Sequence, residues 1–131
     1  MVLVTDKRFA QYSAGFGDVT IRTIPSGRMG GGVLAKISAV FNIGRGVWAA
    51  RKILKQEKPK AAIGFGGYPS FPTMMAAHLL RLPTVIHEQN ILMGKANRML
   101  APNVSAIAAS FPDMRGLDKK EQGKIRLTGN P

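Results

Sequence analysis

At 131 residues the chain suits one domain, large enough to bury a core. The absence of cysteine excludes disulfides and thiolate metal sites, and the apolar runs fall far short of the roughly 20 residues a spanning helix needs. A formal charge of +12 implies an anionic partner, whether phosphate, nucleic acid or an acidic membrane surface.

In chain order, Val2-Leu3-Val4-Thr5 reads as a strand and Asp6-Lys7-Arg8 as the turn that ends it. The start MVLVTDKR carries charges where the apolar centre of a signal peptide would lie. Phe9 to Gly17 reads as a short helical turn or loop. Val19 to Ile24 alternates like a strand with one exposed face. Pro25-Ser26-Gly27 and Gly30-Gly31-Gly32 mark a flexible connection.

Val33 to Lys55 carries the strongest helical pattern, with Leu34, Ile37, Phe41 and Trp48 on one stripe. Gly44 and Gly46 interrupt it, which predicts two helices or a kinked one. Part of the stripe must pack on a sheet. The segment also carries Lys36, Arg45, Arg51 and Lys52, and no acid stands between Asp18 and Glu57. A basic rim around an apolar face is how a helix docks on anionic lipid.

Residues 61–100 are the most informative. Ala61-Ala62-Ile63 reads as a buried strand that stops at Gly64, and Gly64, Gly66 and Gly67 with Tyr68 form a glycine turn. Pro69-Ser70-Phe71-Pro72 and an apolar helical stretch follow. Strand, glycine turn and helix start aim backbone N–H groups at an anion, with the helix dipole behind them. Tyr68 is either part of that turn's site or a core aromatic capping it. Pro83 to Ile86 is a second strand, releasing His87-Glu88-Gln89-Asn90. Four polar side chains at the end of a buried strand are costly unless hydrogen-bonded or used. In open α/β sheets ligands sit at the carboxyl ends of the strands, so both loops point to one edge. His78, in the apolar helix, reads as a surface or half-buried filler.

Lys95 to Leu100 continues as a short helix before Pro102, Val104 to Ala109 is a strand, Phe111 to Lys124 a charged loop, and Ile125 to Thr128 a last strand. Five or six strands alternating with helices predict a parallel α/β sheet. No His/Asp/Glu cluster has metal-ligand spacing, and no cofactor is implied.

The motifs GFGGYPSFP, LPTVIHEQN, GKANRMLA and LTGNP, in that order, resemble the MurG family of peptidoglycan glycosyltransferases over nearly the whole chain. The resemblance implies a Rossmann-like sheet in the N-terminal acceptor domain of a GT-B enzyme, on the cytoplasmic face of the inner membrane. It implies transfer of N-acetylglucosamine from UDP-N-acetylglucosamine to undecaprenyl-pyrophosphoryl-N-acetylmuramyl-pentapeptide, lipid I to lipid II. It also implies a partial domain over residues 1–131. The family's opening strand, Gly-Gly-Thr-Gly-Gly-His turn and helix have no counterpart, and neither has the C-terminal donor domain. Alone, such a piece is expected to be inactive.

On the same grounds Gly64, Gly66, Gly67 and Tyr68 lie near the acceptor pyrophosphate, and Asn90 hydrogen-bonds donor-sugar hydroxyls. His87 and Glu88 are the catalytic candidates: both hold the loop in shape and tune its charge, and His87 is also a candidate base. Asn97 is a further polar cleft position. Leu34, Ile37, Phe41 and Trp48 form the membrane patch. A different reading is a non-catalytic, membrane-bound acceptor or scaffold subunit that needs a separate donor-domain partner. A nucleic-acid module is disfavoured, because the few aromatic residues form no stacking stripe among the basic ones.

Overall fold

The computed structural model describes residues 1–6, 9, 17–25 and 33–130, and for residues 33–39 the backbone only. The expected turn through Lys7 and Arg8, most of the segment from Phe9 to Gly17 and the glycine-rich connection lie outside the described residues, as do the side chains of Leu34 and Ile37.

Strands β1 (Val2–Thr5) and β2 (Thr20–Thr23) pair in parallel, with Val2 opposite Thr20. Strands β3 (Ala62–Gly64), β4 (Thr84–Glu88), β5 (Ala106–Ala109) and β6 (Ile125–Leu127) form a second parallel sheet in that order. Parallel neighbours need crossover connections; helix α1 (Val33–Glu57) links the two sheets, and helices α2 (Gly67–Leu79) and α3 (Lys95–Leu100) lie in the crossovers from β3 to β4 and from β4 to β5. The architecture is the parallel α/β fold expected. The strands nevertheless divide into two sheets rather than one, because β1 and β3 form no ladder with each other.

Helix α2 joins the two halves. Its Ala76 and Ala77, both fully buried, pack with Ile24, Ala50 and Leu54, and with Val4 of β1 and Ala62 of β3 around them. Met74 turns into a second cluster with Ile86, Met93, Leu100, Val104 and Ile107, against which Ala62 also rests. The short side chains of Ala76 and Ala77 let α1 and β1 approach the helix, whereas Met74 fills the wider space above β4 and β5.

Three local expectations are corrected. Of the two helices or one kinked helix expected, the two-helix alternative is overturned, since α1 is one helix through Gly44 and Gly46; Gly46 makes a close approach to Pro25 and Pro72. Ile63 is 62% exposed, so β3 is not the buried strand its composition suggests. It has a hydrogen-bonded neighbour on one side only, and its Ile63 face is uncovered. Helix α2 begins at Gly67, two residues before Pro69, and carries Pro72 inside. Proline is tolerated in the first turn, where N–H groups lack intrahelical partners, which accounts for Pro69; Pro72, the sixth residue, forgoes the bond to the Tyr68 carbonyl.

A cavity at the carboxyl edge of the second sheet

Strand β3 ends at Gly64 and the chain turns through Phe65 and Gly66 into α2. Gly66 has φ 82° and ψ −168°, a region open essentially to glycine alone, and Gly67 follows at φ 76°. This turn puts Gly66, Gly67 and Tyr68 on the wall of a cavity of about 530 Å³. Tyr68 is 42% exposed there, so it is not a core cap. Gly64 does not line the cavity: a Cβ on it would fall 2.5 Å from Ser70 Oγ and 2.8 Å from Met74 Cγ, so its place is in the packing of β3 under α2.

The end of β4 supplies another part of the wall, with Glu88, Gln89 and Asn90, followed by Gly94 to Met99. Alternation along the strand sends neighbouring side chains to opposite faces, and this separates the two catalytic candidates. Glu88 faces the cavity. His87 does not line it: the buried imidazole donates from Nε2 to the Gly129 carbonyl at 3.2 Å and stacks at a tilt on Phe65, 5.6 Å between ring centres. His87 is thus not among the residues that line the cavity, and its bond ties the HEQN loop to the TGNP turn, as expected of a residue that holds the loop in shape.

Glu88 is 1% exposed and saturated with donors. Its Oε1 accepts from the backbone N–H of Asn90 at 3.1 Å and from Asn90 Nδ2 at 3.0 Å. Its Oε2 accepts from the Gly94 N–H at 3.0 Å and from Asn97 Nδ2 at 2.9 Å. Asn97, 2% exposed, also donates Nδ2 to the His87 carbonyl at 3.1 Å, and its Oδ1 is buried with no partner among the described residues. One carboxylate thus pins the loop, the start of α3 and two amide side chains, a burial that only full hydrogen bonding makes tolerable.

The rest of the lining was not legible as a site in the sequence. Lys95 and Arg98 bring positive charge to the rim, spaced three apart on one face of α3, whereas Pro25, Ile43, Phe71, Pro72 and Met99 make an apolar floor. The i, i+3 basic pair in GKANR was the available signal. Ile43 and Pro25 come from distant segments, and no local pattern announces them. His78 is exposed on α2, away from this lining. Among the described residues no group of His, Cys, Asp or Glu could hold a metal ion, and no helix is long and apolar enough to cross a membrane.

Comparison with known proteins adds identity to this geometry. Over its full length the chain is 44% identical to a Rhodospirillum centenum protein and 43% identical to one from Zymomonas mobilis. Both are named UDP-N-acetylglucosamine--N-acetylmuramyl-(pentapeptide) pyrophosphoryl-undecaprenol N-acetylglucosamine transferase. The chain spans 35% and 34% of those two relatives, about a third of each. Among solved structures, Acinetobacter baumannii MurG matches 98% of this chain and 36% of its own with a TM-score of 0.75 at 27% identity. S. aureus MnaA, solved with UDP, shares the fold at a TM-score of 0.60 and 13% identity, over 98% of this chain and 44% of its own. The model of the glycosyltransferase family 28 N-terminal domain matches residues 1–109, and the chain belongs to that family.

Proposed function

We propose that this chain forms the acceptor side of an N-acetylglucosaminyltransferase of peptidoglycan synthesis. The whole enzyme moves the sugar from UDP-N-acetylglucosamine to undecaprenyl-pyrophosphoryl-N-acetylmuramyl-pentapeptide. The observation that carries the reading is that the glycine turn and the end of β4 wall one cavity with a basic rim, in a chain of this family. Either loop alone fits many α/β proteins. Together they offer amides and cations to a pyrophosphate and amide side chains to a sugar.

In this reading the acceptor pyrophosphate rests by Gly66, Gly67 and Tyr68, with Lys95 and Arg98 supplying counter-charge. Asn90 takes hydroxyls of the donor sugar, a task an amide suits because it both donates and accepts. Positioning of this kind supplies much of the barrier reduction in group transfer. The acceptor hydroxyl bonds to C1 of the donor, UDP departs with the electron pair of the broken bond, and the hydroxyl proton passes to a base. His87 contributes by bracing β4 against Gly129, not by touching substrate.

The protein works at a membrane surface as a peripheral component, on the side where UDP-sugars are made, and serves cell-wall growth and with it cell shape and division. Support comes from α1, where Val40, Phe41 and Trp48 are each at least two-thirds exposed beside Arg45, Arg51 and Lys52. Exposed bulky apolar groups among cations fit an anionic lipid surface.

The test is kinetic. In the complete transferase, Asn90→Ala should lower kcat/KM for UDP-N-acetylglucosamine by about 1–3 kcal/mol, the cost of unpaired polar partners. Unchanged kinetics would refute the assignment. Sugar transfer by the 131-residue chain alone would exclude the reading of it as a non-catalytic scaffold.

A further inference from the structure

The charged loop after β5 meets the cavity rim at one point. Its Arg115 forms an isolated parallel bridge with Leu92, donating its N–H to the Ile91 carbonyl at 2.6 Å and accepting from the Met93 N–H at 2.9 Å. These bonds hold the next residue, Gly116, against the segment that leads into α3. Gly116 has φ 86°, and a Cβ built on it would fall 2.7 Å from Arg98 Nη2, 3.5 Å from Arg98 Cζ and 3.3 Å from Leu92 Cδ1. The Arg98 guanidinium therefore lies over a place that only a missing side chain leaves free. Positive φ alone does not create such a seat, since Gly129, at φ 77°, has nothing within 4 Å of its Cβ position.

We propose that Gly116 is a positioning residue for the cavity rim: by carrying no side chain, it lets the loop from Phe111 to Asp118 seat the Arg98 guanidinium where an anionic ligand meets it. The inference rests on the reading that this cavity receives the acceptor pyrophosphate. Among the described residues no hydrogen bond or carboxylate holds that guanidinium, although Arg98 lines the cavity. An arginine without a partner keeps its rotamer freedom and must give it up when it binds. Packing over Gly116 removes part of that freedom beforehand and aims the planar fork, whose donors match phosphoryl oxygens. Helix α3 thus supplies the cation, and a loop distant in sequence fixes its direction.

In the complete transferase, Gly116→Ala should raise KM for the lipid acceptor about tenfold, the scale of one misplaced charged hydrogen bond. KM for UDP-N-acetylglucosamine should stay as it is. In an Arg98→Ala background the same change should add nothing to the acceptor KM, because no guanidinium is left to displace. A turn that merely resists a side chain would carry its penalty into both backgrounds. An equal loss in the two therefore overturns the proposal, and so does a loss that falls on both substrates alike.

A second measurement needs no variant and decides the matter even if Gly116→Ala fails to fold. In the 131-residue chain the Gly116 Hα protons should show a nuclear Overhauser contact to the Arg98 side chain; its absence overturns the seat. That contact, together with an Arg98→Ala transferase whose acceptor KM is unchanged, would sink the pyrophosphate reading and leave the seating of Arg98 standing.

Discussion

A side chain at Gly46 has no room beside Pro72. A Cβ built on this glycine falls 3.1 Å from Pro72 Cβ and 2.8 Å from the Pro25 carbonyl oxygen, so α1 crosses α2 at backbone distance. The contact sets one boundary of the cavity, since Pro25, Ile43 and Pro72 all line it. Gly44, one half-turn away, has nothing within 4 Å.

The two glycines therefore predict opposite outcomes for one substitution. Gly44→Ala should raise stability by about 1 kcal/mol, the helix-propensity difference in an exposed position. Gly46→Ala gains the same propensity but forces backbone apart at a packed crossing, an overpacking cost of about 1–3 kcal/mol. Its net effect should be a loss. Thermal melts followed by circular dichroism check this, and equal shifts for both variants would contradict the close crossing.

Ile86 and Ile63 sit on adjacent paired strands, and Ile86 is fully buried whereas Ile63 is 62% exposed. Ile86→Ala empties part of the cluster shared with Met74 and Ile107 and should cost about 2–5 kcal/mol. Ile63→Ala should stay within about 0.5 kcal/mol. Urea unfolding with an unchanged slope would measure both. A large loss at Ile63 would mean that its face of β3 is covered after all.

Phe41 and Trp48 lie two turns apart on α1, at 67% and 70% exposure. Changing both to Ser should leave the far-ultraviolet spectrum and melting temperature nearly as they are. Binding to vesicles containing phosphatidylglycerol should fall more than about tenfold, as expected for two apolar groups that insert. Added salt should weaken what remains through Arg45, Arg51 and Lys52. Loss of the fold instead would assign these side chains to the core and remove the membrane reading's best support.

The strands and the two site loops were legible because their signals are local. The apolar run that reaches Gly64 gives the end of β3 directly, whereas β4 runs two residues past its apolar run, through His87 and Glu88. The meeting of GFGGY with HEQN followed from the rule that ligands gather at carboxyl ends of parallel strands. What escaped depends on contacts between distant segments. Gly46 looks like a helix breaker unless Pro25 and Pro72 are seen beside it. His87 and Glu88 look equivalent until the strand sends one to Gly129 and the other into the cavity. The saturation of Glu88 needs Asn90, Gly94 and Asn97 brought round it, which no spacing announces.

The division between β1 and β3 bears on how the molecule comes apart. Among the described residues, strands β1 and β2 are hydrogen-bonded to each other and to no other strand, and their half meets the larger sheet through side chains, chiefly Val4 and Ile24 against Ala76 and Ala77 of α2. Among the described residues no ladder crosses that joint; side-chain packing carries it, with the Arg22–Glu57 ion pair tying β2 to α1. The β1–β2 pair should therefore open as a unit of its own while β3 to β6 stay closed, which native-state amide exchange would check. The Glu88 cluster stands wholly on the closed side, so the geometry that holds Asn90 outlasts fluctuations of the amino-terminal half.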